Sequence, residues 1–383
     1  MTNNLRIPSL GRFPLEMLLL AAFVFAVPAF EAPKNLLWLA YALTWLANRI
    51  RQRDFGGPWD GWDTIIAVWL ASGYVVAAFA GLHGNEWGGA NDMLRYLSIL
   101  WLIKRSGYGR PQLMLVLTLT VAGTLAAVAE GLWRLYGTHE NNALQLNSVG
   151  HVNHSAIYVA ITFGAALSAL LARWRRLTIS WRLLGGAAVL LLGAAIVISA
   201  SRGAVGATAL FVLVLGLAWL RRSRSFAVLL LAGLLAVSAA AIATKPEVIK
   251  KQERNVQAHN VLSARDAIWR IAFEAWRHNP VFGVGVGNYN QISEDNVKSW
   301  LQADKRPYDP AVYVMAPHAP SLFMTALAER GLVGITPLLF ALGAWLYALL
   351  HHLPGRDNDD AEWALWGGAL SAWTISVVVG PVN

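Results

Sequence analysis

The chain has 383 residues, 56% of them apolar and only 14% charged, with a net charge of +9 and no cysteine. A soluble domain carries roughly a quarter charged residues, so an ordinary globular enzyme is excluded, and the missing thiols exclude disulfides and cysteinyl metal sites. The positive balance does not point to nucleic acid, because the basic residues form short clusters between apolar runs and not one patch.

Those apolar runs fall at 13–30, 35–48, 64–82, 92–103, 112–133, 155–171, 182–200, 204–220, 226–243, 322–350 and 363–379. Most are long enough to cross a bilayer as helices. They are continuous and not alternating, which argues against a transmembrane barrel. The fold class is therefore all-α: a polytopic transmembrane helical bundle of about 11–12 spans. The first run is too long for a signal peptide and lacks a small-residue cleavage site. The last described run is followed at once by Gly380-Pro-Val-Asn383. A further span is expected beyond it.

The basic residues sort by loop. Arg6, Arg12, Arg49, Arg51, Arg53, Lys104, Arg105, Arg110, Arg173, Arg175, Arg176, Arg182, Arg221, Arg222, Arg224 and Arg356 occupy one set of loops. The opposite short loops hold Lys34, Arg134 and Arg202. The positive-inside rule then puts the N-terminus in the cytoplasm. It also puts three polar segments on the periplasmic side: the 134–154 loop with His151, Asn153 and His154, the Ser201-Arg202-Gly203 bend, and the long 244–320 loop. The domain reading is 1–243 for the first nine spans, 244–320 for a periplasmic loop domain with amphipathic helices, and 321–383 for the C-terminal spans.

The 244–320 loop begins with Lys245, Lys250, Lys251 and Arg254, either a solvated surface or a contact for anionic headgroups. Ser263 and Asp266 resemble a capping box. Arg265, Trp269, Ala272 and Trp276 then share a stripe at helical spacing until Asn279-Pro280 ends the helix. This reads as an amphipathic helix at the membrane surface, with its tryptophans as interfacial anchors. Arg265 lies in the first turn, where a cation opposes the helix dipole unless it meets an anion. Gly283, Gly285, Gly287 and Asn288 form a turn that could also cradle phosphate. His318 and Ser321 mark the return to the membrane, ahead of Glu329-Arg330-Gly331-Leu-Val-Gly334. Charges at that depth are costly unless paired or wet. Arg202, between two spans, reads as an anion site or a snorkelling side chain.

In order and sidedness these motifs resemble the O-antigen ligase and O-antigen polymerase superfamily. The resemblance rests on Asn153-His154-Ser155-Ala156, Ser201-Arg202-Gly203-Ala204, Arg265…Trp269…Asn279-Pro280-Val-Phe-Gly283-Val-Gly285-Val-Gly287-Asn288-Tyr289, and His318…Gly331-Leu-Val-Gly334. It implies transfer of a glycan from undecaprenyl diphosphate at the periplasmic face of the inner membrane, without nucleotide sugar, metal or other cofactor. In the ligase branch the acceptor is lipid A–core oligosaccharide. In the polymerase branch it is a second lipid-linked glycan, and a related branch glycosylates proteins. The ligase pattern puts His, then Asn, Ser or Gln, eleven and ten residues before the GxxG; those positions here are Pro320 and Ser321. Either His318 takes the role from a shifted backbone or the chain lacks that histidine.

The chemistry fits the residues on its own terms. An acceptor hydroxyl attacks the anomeric carbon through an oxocarbenium-like transition state while negative charge builds on the departing diphosphate. Fixed cations aimed at that charge supply the largest catalytic contribution. The expected diphosphate-binding residues are Arg202 and Arg265, with Arg134, Arg270 or Arg277 in support. His318 is the expected base. Asn153, Arg270, Asn288, Ser321 and Glu329 are secondary candidates, and no metal ligand set is expected. A transporter of an anionic lipid-linked substrate is the reading from a different class. It predicts ionisable residues in mid-span and broken helices in matched halves.

Overall fold

The computed structural model describes residues 14–233, 265–310, 312–316, 319 and 321–380. Among them the chain is all helical: α1 (Pro14–Ala26), α2 (Glu31–Gln52), α3 (Gly61–Ala78), α4 (Glu86–Arg105), α5 (Arg110–Tyr136), α6 (Val152–Arg173), α7 (Ile179–Ile198), α8 (Arg202–Trp219), α9 (Arg224–Gly233), α10 (Arg265–His278), α11 (Glu294–Ala303), α12 (Leu322–His351) and α13 (Asp360–Val379). Within the described residues each apolar run contributes a helix, as expected where lipid leaves the backbone no partner but itself. Six of them (α3, α5, α6, α7, α8 and α12) are long and apolar enough to cross a membrane. The chain is a multi-pass membrane protein.

The helices fall into two compact units. The first holds residues 1–58, 99–230 and 346–379. Its centre is α13 against α6. A methyl on Gly164 would lie 2.1 Å from the Ser371 hydroxyl, and one on Gly367 would lie 2.3 Å from that of Ser168. These small residues recur four apart on both helices, so the two backbones approach closely over a full turn. The pairing of 164 with 371 and 168 with 367 makes the helices antiparallel. Alternation of the predicted spans requires the same. The ends of this unit differ in charge. Arg110, Arg173, Arg175, Arg176, Arg222 and Arg356 share one end with the start of α13, where Arg110 bonds Asp359 and Glu362. At this end too, Glu16 is fully buried and accepts from Arg49, Asn48 and Tyr108.

The second unit holds residues 59–98, 231–345 and 380–383. Part of the long loop has its own core here: Ile271, Ala272 and Ala275 of α10 pack with Val284, Tyr289, Ile292, Val297, Leu301, Ala319 and Ala328. The Ile271–Ala272–Ala275 face of α10 is thus covered by protein, and of the expected stripe only Ala272 lies in that core. An amphipathic pattern specifies that a face is buried, not what buries it. Trp269 and Trp276 are partly buried, and Phe273 stays 44% exposed.

Candidate active site

In the first unit, α6 and α8 are joined through α7 by short turns and run parallel, so their N-termini open on one end, opposite the basic end. Asn153 lies in the first turn of α6, where its backbone N–H donates to Nδ1 of the capping His151 at 3.2 Å. Ala200 turns the chain with φ +54°, and buried Ser201 caps α8 by accepting from the Ala204 N–H. Arg202 is then the first residue of an 18-residue helix and is exposed. A guanidinium beside the N-terminus of a helix, where the helix dipole is positive, makes a natural anion site. Arg134 is already paired with Glu130 at 2.7 Å.

In the second unit the glycine-rich segment has a defined partner. Helix α12 is broken at Gly331, whose backbone adopts φ 53° and ψ −154°. A break strands two carbonyls and two amides, and the segment takes all four. Val284 N–H donates to Ala328 O, Gly285 N–H to Glu329 O, and the Leu332 and Val333 N–H groups donate to Pro280 O and Val281 O, all at 2.9–3.0 Å. Such a clasp tolerates no side chain at the contact. A methyl on Gly283 would lie 2.4 Å from the Glu329 carbonyl carbon.

The same segment does bind an anion, but an internal one. Buried Glu329 accepts the Tyr289 N–H at 3.2 Å and a backbone hydrogen bond from Gly287. The nest read as a possible phosphate cradle therefore holds a carboxylate of its own chain. Burial, with Glu329 beside it, pushes the Tyr289 phenol above its usual range. Asn288 is fully buried and committed: Nδ2 donates to Leu82 O, Val284 O and Glu86 Oε2, and Oδ1 accepts from the Asn85 N–H. It ties the glycine segment to the α3–α4 connection, where Gly81 and Leu82 also donate to Gly283 and Val284. Phe79 stacks on Phe282 at 4.9 Å. The α3–α4 connection carried no sequence signal for this role.

Residues 187–339 match the family model of the O-antigen ligase. Over that segment the chain is similar to the O-antigen ligase superfamily. The match takes in α7 from its third turn, the Arg202 bend, α10, the glycine clasp and the broken first half of α12. No curated protein matches the chain.

Within the matched segment the remaining expected residues are placed as follows. Ser321 is buried and caps α12, accepting the Met324 N–H at 3.3 Å. Arg270 is exposed on α10. Arg265 opens α10, but its side chain lies outside the described residues, as does the whole of His318. Asn153 and Arg202 thus share one end of the first unit, while Arg270, Asn288, Ser321 and Glu329 belong to the second. Sequence spacing hid an acidic pair, Glu274 and Asp304, which with His278 could approach one ion. Arg306 already spans it, bonding both oxygens of buried Glu274 and one of Asp304. That contact also holds the Asp304 carboxyl below its usual range. Arg330 carries a buried Nε without a hydrogen-bond partner, and its stem runs over Gly334, where a methyl would lie 2.1 Å from its Cβ.

Proposed function

We propose that the protein is a lipid-diphosphate-dependent glycosyltransferase that moves an O-antigen glycan from undecaprenyl diphosphate to lipid A–core oligosaccharide at the periplasmic face of the inner membrane. The observation that carries this reading is the O-antigen ligase match over the segment holding the Arg202 bend and the clasped loop. The acceptor hydroxyl oxygen forms a bond to the anomeric carbon as the bond from that carbon to the diphosphate oxygen breaks. The electron pair leaves on the diphosphate, and the hydroxyl proton passes to the base. One such displacement inverts the anomeric configuration. Arg202 serves the leaving diphosphate, aided by the α8 N-terminus. Arg265 is its partner in that role and His318 the base. Glu329, Asn288 and Ser321 act by shaping the loop, since their polar atoms are engaged within the chain. Among the described residues Arg306 occupies the Glu274–Asp304 pair, and that pair is given no part in the transfer.

The test is reconstitution of the full chain with lipid-linked O-antigen and, in parallel, lipid A–core or a second lipid-linked glycan. Extension of lipid A–core supports the ligase reading. Extension of the second lipid-linked glycan alone makes the protein a polymerase, and flux without transfer makes it a transporter.

A further inference from the structure

At the basic end of the first unit, opposite Arg202 along α8, lies a cavity of about 290 Å³ lined by Arg175, Arg176, Arg222, Arg356, Trp219 and Asp360 among others. Four guanidiniums face one carboxylate. Asp360 is shared between Arg176 and Arg222. The neighbouring acids Asp359 and Glu362 are engaged by Arg110. Among the described residues Arg175 and Arg356 form no ion pair, and both are exposed.

Arg222 is the built part of the site. Its side chain is 18% exposed and its guanidinium lies against the Trp219–Trp363 pair, 5.7 and 5.6 Å from their ring centres. One terminal nitrogen donates to Ala172 O and Asp360, whereas the other is buried with no hydrogen-bond partner. An unpaired buried donor on a charged group is costly and calls for a water, an ion or a ligand to complete it. Topology needs positive charge in the loops on this side, but it does not need four arginines to converge on a cavity.

We propose that this cavity binds the phosphate of an anionic phospholipid headgroup from the leaflet facing the basic loops. The chemistry is that of phosphate recognition by planar guanidinium donors. Basic pockets between transmembrane helices on the cytoplasmic side take such headgroups. The apolar rim fits acyl chains: Leu171 and Phe226 line the same cavity. The site lies outside the glycosyl-transfer machinery and serves to hold the helix ends around α8 and α13 in one arrangement.

The test uses the full chain in detergent, titrated with cardiolipin, phosphatidylglycerol, phosphatidylcholine or inorganic phosphate, with binding read by native mass spectrometry and thermal unfolding. The expected result is retention of one anionic phospholipid at least about tenfold more tightly than phosphatidylcholine. That preference should fall about tenfold in the R175Q/R356Q variant, whose unfolding temperature without lipid matches wild type because neither side chain is paired. Equal affinity for the zwitterionic lipid, or an unchanged preference in the variant, would overturn the proposal. So would protection by inorganic phosphate alone, which would assign the cavity to a soluble anion.

Discussion

The Glu329 carboxylate accepts the backbone N–H of Tyr289 at 3.2 Å, forty residues earlier in the chain, and so fixes the glycine segment against the broken helix that carries Glu329. Glu329→Gln keeps an acceptor oxygen for the Gly287 and Tyr289 amides and should cost about 1–2 kcal/mol of stability. Glu329→Ala leaves both amides unpaired and should cost about 2–4 kcal/mol. Thermal unfolding of the purified variants should rank wild type above Gln and Gln above Ala. An Ala variant as stable as wild type would show that the loop is anchored elsewhere.

The break at Gly331 demands glycine. Its φ of 53° disfavours any side chain, and a methyl would lie 2.5 Å from the Val281 carbonyl. Gly331→Ala should therefore cost about 3 kcal/mol or more, by strain and by loss of the clasp. Gly343, on the same helix, has open space around it. Gly343→Ala should be neutral or gain up to about 1 kcal/mol. The yield of folded protein after detergent extraction reports the contrast; equal yields would mean the clasp does not govern folding.

Asn288 needs both of its functional groups. Asn288→Ala removes four hydrogen bonds from a fully buried position and should cost about 2–4 kcal/mol. Asn288→Asp is nearly isosteric but puts a second carboxylate beside Glu86 and loses the donor. It should be at least as destabilising as Ala at neutral pH and should recover on mild acidification. Limited proteolysis of the 279–292 segment across pH 5–8 distinguishes the two, and an Asp variant that behaves as wild type would contradict the assignment.

Glu86 supplies an acid response. The backbone N–H groups of Gly84 and of Glu86 itself, then Asn288 and His83, hold its carboxyl down at about 2, against an ordinary 4.5. A folded value below the unfolded one means that the stabilisation is complete above pH 4.5 and is lost as pH falls from 4.5 towards about 2. The tie between the α3–α4 connection and the glycine segment should loosen over that window. Glu86→Gln should lower stability at pH 7 and flatten the acid limb of the unfolding curve. A Glu86→Gln curve parallel to wild type through that window would remove Glu86 as its source.

The helices were legible because membrane-spanning backbone has few alternatives, and apolar length alone marks it. The packing of α6 on α13 was not, since Gly164, Ser168, Gly367 and Ser371 are ordinary small residues some two hundred positions apart. The period of α10 was visible, whereas the core it joins is assembled from Val284, Ile292, Val297 and Leu301 further along the chain. Both halves of the clasp were visible as glycine motifs, but backbone hydrogen bonds over forty residues leave no side-chain pattern. The usable signal was Glu329 itself, an acid too deep to stand without donors. The Glu274–Arg306–Asp304 network escaped for the same reason of distance.

The central claim is that fixed arginines, Arg202 foremost, stabilise the departing lipid diphosphate. The most direct measurement is glycan transfer to lipid A–core by reconstituted Arg202→Ala and Arg265→Ala variants, with membrane insertion checked in the same preparations. The account predicts normal insertion and a fall in transfer of at least about a hundredfold for each variant. Near wild-type transfer by both variants would contradict it.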